Sequence, residues 1–304
     1  MYFLFEPFER PMLWGSESWI LSAYPDQESV VKEGLYKGKT LSQLVEALGP
    51  ALMGSEAYER YGHQFPLLIK IIDTRLPLSI QVHPSDEIAQ RHGKGKVGKT
   101  EMWYALACKM ESYLFSGLKH QLTPETYAEH VANHTIVDDL MRYTPKGGDC
   151  FFLPPGRIHS IGPDCILLEV QQSSDITYRI YDYNRKDASG KSRELHTALA
   201  AEAIDFTVLP DYETHYERKD NAAMPLVECP YFRTAAYHVT DKVVIDWSEH
   251  DCFLAIIVTE EWFGGNFIID GELVGLQTGD ILLLPAATER IEASGTFTFV
   301  TVTL

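Results

Sequence analysis

The sequence contains little cysteine, few basic side chains and no long apolar run, and each of these shortages excludes a class of protein. The five cysteines among 304 residues are odd in number and form no CxxC pair, so we expect reduced thiols in a cytoplasmic protein. No stretch approaches the roughly 20 apolar residues that a membrane-spanning helix needs. The first residues, MYFLFEPFER, also lack the basic head of a secretory signal.

Positive charge is scarce. Lysine and arginine number 26 against 43 aspartates and glutamates, which gives a net charge of −17. Such a surface repels phosphate backbones and anionic lipids, so we expect neither nucleic acid nor a membrane as partner. Two basic segments therefore stand out, and they predict a small anionic substrate: Lys94, Lys96 and Lys99 in one glycine-rich loop, then Arg185, Lys186, Lys191 and Arg193.

Short apolar and β-branched runs, broken by Gly, Pro, Asn and Asp, dominate the sequence after about residue 65. They occupy residues 66–73, 76–83, 101–108, 111–117, 150–156, 165–172, 242–248, 252–259, 279–285 and 295–304. Many short strands of this kind predict a mainly β fold, a sandwich or a barrel. Helices are predicted as insertions after the capping residues Thr40, Ser85 and Thr123, the last running through 126–143, and again over 195–205.

Two segments of the sequence resemble each other. GDCFFLPPGRIHSIG (148–162) and GDILLLPAATERIEASG (279–295) share a Gly-Asp turn, an apolar strand and a following proline. Aligning their first glycines sets His159 opposite Arg290. We interpret this similarity as two copies of one barrel, of which only the first keeps a metal ligand; a common hairpin repeated by chance is the alternative.

The domain boundary is predicted where polar residues and Pro210 interrupt the strand pattern. We expect a metal-binding catalytic barrel with helical insertions over residues 1–205 and a degenerate barrel without metal over 206–304. The sequence leaves open with which barrel the N-terminal strands pack.

The segment SIQVHP (79–84) carries the strongest local chemical signal. Alternate side chains of a strand share a face, so Ser79, Gln81 and His83 project together. A metal with its water would satisfy that polar face, and so would solvent on an exposed sheet. The segment alone leaves both interpretations open.

Two further residues extend the signal. Glu101 heads a strand just after Lys99, and His159 follows a Pro-Gly turn. Taken alone, Glu101 is better explained by a surface ion pair and His159 by a hydrogen-bonded turn histidine. Together with Gln81 and His83 they supply two imidazoles, a carboxylate and an amide, a donor set suited to one zinc ion. No thiol lies near these positions, which indicates an open, catalytic site.

Five ordered segments carry a wider resemblance: WGSESW (14–19), SIQVHP (79–84), KTEMWY (99–104), PPGRIHSIG (154–162) and LLEVQQSSDITYRIYDYNR (167–185). They resemble the short bacterial form of the type I mannose-6-phosphate isomerases, a family of the cupin superfamily. The resemblance implies two cupin-type (jelly-roll) β-barrels with a few inserted helices. It also implies zinc-dependent interconversion of mannose 6-phosphate and fructose 6-phosphate through an enediol(ate).

The resemblance also implies roles for single residues. Gln81, His83, Glu101 and His159 correspond to the ligands of one Zn²⁺ ion, Arg179 to the catalytic arginine, Lys99 to the lysine two residues before the metal-binding glutamate, and Ser79 to the serine near the substrate phosphate. Glu169, ten residues before Arg179, and a metal-bound water are the two candidates for the base that moves the proton.

Two other functions share these features. An iron-dependent cupin dioxygenase would use a similar set of histidines and glutamate, and a sugar-binding or regulatory cupin would keep the pocket without turnover. The expected partner is a hexose phosphate, and the expected assembly is a monomer or a homodimer.

Overall fold

The chain folds mainly into β-strands, as predicted. The structure is a computed structural model and describes residues 1–186 and 189–304. It contains two compact units: a central unit (Arg10–Glu17, Ile71–Thr214) and a C-terminal unit (Met1–Glu9, Ser18–Lys70, His215–Leu304). Within the described ranges, no helix is both long and apolar enough to cross a membrane.

The elements follow one another as short strands with a few helices between them. The first are β1 (Phe3–Glu6), β2 (Phe8–Met12), β3 (Gly15–Leu21), β4 (Ala23–Tyr24), β5 (Gln27–Glu28), β6 (Val30–Val31), α1 (Leu41–Leu48), α2 (Pro50–Met53), α3 (Ser55–Tyr61), β7 (Leu67–Thr74), β8 (Ile80–Val82) and α4 (Asp86–Arg91). Next come β9 (Glu101–Cys108), β10 (Leu114–Leu118), α5 (Pro124–Ala132), a 3₁₀ helix (Ile136–Asp139), β11 (Leu140–Tyr143), β12 (Cys150–Leu153), β13 (His159–Ile161), β14 (Cys165–Gln172), β15 (Tyr178–Tyr181) and α6 (Thr197–Ala203). The last are β16 (Ala223–Glu228), β17 (Arg233–Val239), β18 (Lys242–Asp246), β19 (Leu254–Ile269), β20 (Glu272–Gly275), β21 (Ile281–Leu284) and β22 (Arg290–Thr303).

The predicted helix caps are present. The Thr40 hydroxyl accepts a hydrogen bond from the Gln43 N–H at the start of α1, and the Gln43 side chain accepts from the Thr40 N–H in return. Thr123 caps α5 in the same manner. The predicted continuation of α5 to residue 143 is wrong: His134 takes a left-handed backbone conformation (φ 59°), which ends the helix, and β11 occupies the last four residues.

The C-terminal unit is built on one nine-stranded sheet. Its order is β16-β17-β22-β19-β21-β1-β6, with β18 paired to β22 and β20 to β19. The position of the N-terminal strands, which the sequence left open, is visible here for β1, because Phe3 pairs with Leu283 of β21. Phe267, Phe297 and Phe299 pack against one another in its apolar core.

The central unit contains two sheets. One has the order β11-β10-β13-β8-β15; the other has the order β12-β9-β14, continued by the parts of β7, β3 and β2 that belong to this unit. Trp14, Trp103 and Phe151 lie in one buried cluster. The helix α6 packs against β15, and α5 packs against α6. These two sheets position every side chain of the predicted site.

The repeated segment has the same local structure in both units. Gly148 and Gly279 are left-handed, with φ of 89° and 92°, a conformation that favours glycine. The aspartate after each glycine accepts a hydrogen bond from the backbone N–H three residues earlier, at 2.7 Å from Lys146 and 2.8 Å from Gln277. The same turn is thus built twice.

The agreement continues past the turn. The strand that follows is β12 in one unit and β21 in the other, and the aligned residues His159 and Arg290 each begin the next strand. In the first copy His159 is buried (1% exposed), whereas in the second Arg290 is exposed and pairs with Glu292 at 2.9 Å. The two copies therefore share a scaffold and differ at the position of the predicted ligand.

Gly156 links the loop before His159 to His83, the residue that follows β8, through a backbone hydrogen bond. Its N–H donates to the His83 carbonyl at 2.9 Å, its φ is 85°, and an added Cβ would lie 2.8 Å from the Ala203 carbonyl oxygen. We expect Gly156→Ala to lower the free energy of unfolding by about 1–3 kcal/mol, measured by urea denaturation. Gly93→Ala is the matched control, because Gly93 is left-handed (φ 65°) but faces open space; equal losses in both variants would show that the close approach is unimportant.

Candidate metal centre

Four side chains form a row across neighbouring strands of the five-stranded sheet. The register pairs His159 on β13 with Gln81 on β8 and with Ser116 on β10, and it pairs Gln81 with Arg179 on β15. Residues directly opposite each other in an antiparallel pair project from the same face. Three of the predicted site residues are therefore brought to one face, together with a serine that the sequence analysis did not select.

The ends of β8 complete this face. Ser79 donates to Gln81 Oε1 at 3.3 Å, and Ser79 and His83 are each only 2% exposed. Ile80 and Val82, which alternate with them, belong to an apolar cluster on the other side of the strand. The polar face of SIQVHP therefore looks into the central unit, and solvent does not satisfy it.

The opposite wall of the site comes from β9 and β14. Glu101 pairs with Gln171, and Trp103 pairs with Glu169, so all four project from one face. Glu101 is 0% exposed and Glu169 is 4% exposed. The surface ion pair considered for Glu101 is therefore wrong, since a carboxylate at this depth needs nearby cations or donors.

His83, Glu101 and His159 converge between the two sheets. His83 Nε2 lies 3.5 Å from Glu101 Oε2, and His159 Nε2 lies 3.4 Å from Glu101 Oε1. One potential ligand atom from each residue lies within 4.8 Å of the other two, and all three side chains are buried. Residues separated by up to 76 positions in the chain thus present their donor atoms to one point.

The hydrogen bonds of both imidazoles leave Nε2 available. His83 Nδ1 lies 2.8 Å from the Ile176 carbonyl, and His159 Nδ1 lies 2.8 Å from the Arg157 carbonyl. A carbonyl can only accept, so each Nδ1 carries the proton and each Nε2 carries a lone pair. Burial lowers the pKa of His159 to about 3, which keeps its ring neutral at neutral pH. Neutral imidazoles anchored through Nδ1 are what a metal site requires.

Gln81 lies beside the point at which His83, Glu101 and His159 converge. Its Nε2 is 3.3 Å from His159 Nε2, and its Oε1 accepts from Ser79. A half-turn of the amide would direct the oxygen to the centre instead, and the Ser79 hydroxyl can donate or accept in either orientation. Gln81 is therefore placed to contribute an oxygen ligand after that rotation.

Lys99 brings a positive charge to the centre. Only 4% of the residue is exposed, and its Nζ lies 3.2 Å from His83 Nε2, in contact with Glu101 and 3.5 Å from Glu169 Oε1. The other oxygen of Glu169 accepts from the Trp103 indole N–H at 2.8 Å. No role was predicted for Trp103, because nothing in its apolar strand pattern indicates this hydrogen bond.

Arg179 is held by hydrogen bonds to the segment that follows its own strand, β15. Its Nη1 donates to the Glu194 carbonyl at 3.0 Å, and its backbone N–H donates to His196 Nδ1 at 3.2 Å. Its Nε is buried and has no hydrogen-bond partner within the described ranges. Burial, with Arg193 and Arg185 nearby, lowers its pKa, yet an arginine keeps its charge at neutral pH. His196 escaped the sequence analysis because it lies seventeen positions further along the chain.

The second basic segment is organised around a buried carboxylate. Arg193 donates to both oxygens of Asp182, at 2.8 and 2.6 Å, and Arg185 also contacts this carboxylate. One aspartate thus holds two guanidinium groups, so the cluster stays positive even though the chain is acidic. In the first basic segment Lys94 and Lys96 are exposed, and of its three lysines only Lys99 reaches the site.

Comparisons with known proteins agree with this geometry. Residues 10–134 match the family described as "Phosphomannose isomerase type I, catalytic domain". The chain is 36% identical to the mannose-6-phosphate isomerase ManA of Bacillus subtilis over 96% of its own length and 95% of that protein. It is 30% identical to the mannose-6-phosphate isomerase of Streptococcus mutans, over 95% of this chain and 88% of that one.

Solved structures extend the likeness to the whole fold. The crystal structure of the mannose 6-phosphate isomerase from Bacillus subtilis superimposes with a TM-score of 0.89 at 28% identity, over 100% of this chain and 99% of that one. A mutant of the phosphomannose isomerase from Salmonella typhimurium shares the fold at a TM-score of 0.79 and 14% identity, over 99% and 98% of the two chains. With its buried histidine–glutamate cluster and its full-length similarity to these relatives, the chain belongs to the type I phosphomannose isomerase family.

Proposed function

We propose that this chain interconverts mannose 6-phosphate and fructose 6-phosphate, with one zinc ion per chain. The observation that carries the proposal is the convergence of two imidazoles on Glu101, beside the buried side chain of Lys99. Relatives that bear the name mannose-6-phosphate isomerase, at 36% and 30% identity over nearly the whole chain, support the choice of substrate.

The donor set fits a divalent metal of intermediate softness. His83 and His159 would bind through Nε2, Glu101 through a carboxylate oxygen, and Gln81 through its amide oxygen after rotation. The carbonyl bonds at both Nδ1 atoms support this assignment, because they fix the ring orientation. When bound, zinc would act as a Lewis acid that polarises the sugar oxygens.

The chain's own cations stabilise the charge that the reaction develops. Aldose–ketose isomerisation moves a proton between C1 and C2, so negative charge appears on O1 and O2 in the enediol(ate). Arg179 stays protonated at neutral pH, and its buried Nε supports a role as donor toward that charge. Lys99 Nζ is a second donor, in contact with the Glu101 carboxylate and 3.5 Å from Glu169 Oε1.

Glu169 is the proton acceptor that we assign within the chain. Its Oε2 is held by the Trp103 indole, which leaves Oε1, 3.5 Å from Lys99 Nζ, as the atom that takes and returns the proton. In this arrangement Lys99 places a positive charge beside the Glu169 carboxylate, and the Trp103 indole fixes the orientation of that carboxylate. Trp103 is thus a positioning residue.

We expect Trp103→Phe to lower the free energy of unfolding by about 1–3 kcal/mol, because a buried carboxylate loses a donor. We also expect kcat to fall about tenfold, since one hydrogen bond to a charged group is worth about that much. Urea denaturation and steady-state kinetics measure the two effects. Trp14→Phe is the control: Trp14 is also buried, but its indole makes no hydrogen bond within the described ranges. If both variants behaved alike, Trp103 would contribute only its ring.

The phosphate end of the substrate is assigned to the polar groups around β8 and β15. Ser79 offers a buried hydroxyl, and the cluster of Arg185 and Arg193 around Asp182 offers positive charge. In a chain with a net charge of −17, such a cluster supports binding of an anion.

We further propose that the chain forms two cupin-type barrels, predicted as a catalytic domain over 1–205 and a domain without metal over 206–304. The compact units divide the chain differently, since Met1–Glu9 and Ser18–Lys70 belong to the C-terminal unit. The turn built twice, at Gly148 and at Gly279, supports the duplication. A cytoplasmic enzyme that works as a monomer or a homodimer remains the prediction from the sequence.

A coupled assay tests the function. Zinc-loaded protein is given fructose 6-phosphate, and mannose 6-phosphate is measured with time; turnover that disappears with a chelator and returns with zinc is the expected result. Iron in the purified protein with no isomerisation would favour a dioxygenase. Binding of the hexose phosphate without turnover would favour a regulatory cupin.

A further inference from the structure

Two cysteines face each other across β9 and β14, away from the site described above. Cys108 is the last residue of β9, Cys165 is the first residue of β14, and the register pairs them directly. The Glu101 carboxylate lies at the other end of β9, so the pair is about 20 Å of strand away from it. Neither sulfur takes part in the proposed chemistry.

The backbone hydrogen bonds show whether Cys108 and Cys165 form a hydrogen-bonded or a non-hydrogen-bonded pair of the antiparallel strands. The next pair outward is hydrogen-bonded, since the Lys109 N–H donates to the Asp164 carbonyl at 3.2 Å. The Cys165 N–H donates elsewhere, to Thr74 Oγ1 at 2.9 Å. Cys108 and Cys165 therefore form a non-hydrogen-bonded pair, in which the Cα atoms lie about 4.5 Å apart and the side chains are closest. That separation falls within the range of about 4.4–6.8 Å that a disulfide spans.

The two thiols differ in access and in acidity. Cys165 is fully buried, whereas Cys108 is partly exposed near the turn that follows β9. The neighbouring cysteine raises the pKa of Cys108 and lowers the pKa of Cys165, whose Sγ also lies 3.8 Å from the carbonyl oxygens of Tyr113 and Pro163. Cys108 is thus the sulfur that a solute can reach, although it holds its proton more tightly than Cys165 does.

We propose that Cys108 and Cys165 form a reversible redox-modification site, which a peroxide converts into a cross-strand disulfide. The Cys108 sulfur attacks the peroxide O–O bond while its proton passes to the departing hydroxide, giving a sulfenic acid and releasing water. The Cys165 sulfur then attacks the Cys108 sulfur, the S–O bond breaks, and the hydroxyl leaves with a proton as a second water. Overall, two thiols and one hydrogen peroxide give one disulfide and two waters, with sulfur oxidised and peroxide reduced.

The disulfide would tie two neighbouring strands without moving the site. We expect it to raise the unfolding temperature of the protein by roughly 5 °C or more, since cross-links stabilise mainly by restricting the unfolded chain. We expect catalytic activity to stay unchanged, because Glu101 lies at the far end of the strand. A thiol reductant restores the starting state.

The test treats the full chain with hydrogen peroxide, alkylates the remaining thiols, and maps peptides by mass spectrometry. The expected product is a linked pair of peptides containing Cys108 and Cys165, which has lost two hydrogen atoms and separates on reduction. Cys229 and Cys252, which are also partly exposed, are the internal controls and stay unlinked. The proposal fails if both Cys108 and Cys165 remain alkylatable at peroxide concentrations that oxidise Cys229 and Cys252.

A variant resolves the order of the steps. Cys165→Ser lacks the resolving sulfur, so a sulfenic acid should accumulate on Cys108 and be trapped by dimedone. Accumulation on Cys229 or Cys252 instead would contradict the assignment of Cys108 as the reactive sulfur. The peptide map of the unmodified sequence decides the proposal even if this variant does not fold.

Discussion

Arg179→Ala is expected to lower kcat by about 10²–10³-fold while the bound metal and the fold stay intact, by analogy with the loss of one preorganised donor from an oxyanion hole. Arg179 lies in the row with Gln81 and His159, but its guanidinium donates to the Glu194 carbonyl and its backbone N–H donates to His196. Its removal therefore deletes charge from the site without deleting a metal ligand. Steady-state kinetics, metal analysis and circular dichroism measure the three quantities.

The control for this variant lies at the opposite edge of the same sheet. Arg142 on β11 packs over the Tyr113 ring, with 4.7 Å from the guanidinium carbon to the ring centre, and Arg142→Ala should leave kcat unchanged. Arg179→Lys should recover part of the activity, since it keeps the charge but loses the planar fork. Loss of metal or of folded structure in Arg179→Ala would make the arginine a structural residue.

His83→Ala and His159→Ala are each expected to weaken metal binding by at least 100-fold. Loss of a residue that merely orients a ligand already costs about 10–100-fold in affinity, and a direct ligand contributes more. Both variants should leave Glu101 with one imidazole instead of two. Titration with zinc against a competing chelator measures the dissociation constant, and activity at saturating zinc measures what the remaining ligands can support.

The control for these variants is another histidine of the central unit. His120 is largely exposed, lies 3.4 Å from Asp139, follows the end of β10 and does not belong to the converging set of His83, Glu101 and His159. His120→Ala should bind zinc as the unchanged protein does. Full metal content in both His83→Ala and His159→Ala would place the metal elsewhere in the molecule.

Local patterns in the sequence predicted much of this structure. The strands Glu101–Cys108 and Cys165–Gln172 begin and end where the apolar runs predicted, because each run is bounded by polar or turn-forming residues. The helix Leu41–Leu48 has the predicted cap at Thr40. The convergence of His83, Glu101 and His159 was predicted from residue type and from the resemblance of their motifs to a known family.

What the sequence could not predict depends on pairing between distant segments. The hydrogen bond from Trp103 to Glu169 joins residues 66 positions apart, and no local periodicity encodes which strands become neighbours. The contact of Arg179 with His196 depends in the same manner on how the loop after β15 returns to the strand. The short strands before residue 65 were missed because their apolar runs are brief.

The row that joins Ser116, His159, Gln81 and Arg179 makes the site a reporter of correct strand alignment. Side chains alternate strictly between the two faces of a sheet, so a slip of β8 by a single residue would turn Gln81 outward and bring an aliphatic neighbour in. A chain with β8 in the wrong register would therefore lose the metal centre instead of keeping a weaker form of it. Metal uptake during refolding should therefore rise together with the pairing of β8 in this sheet, which makes it a direct measure of that pairing.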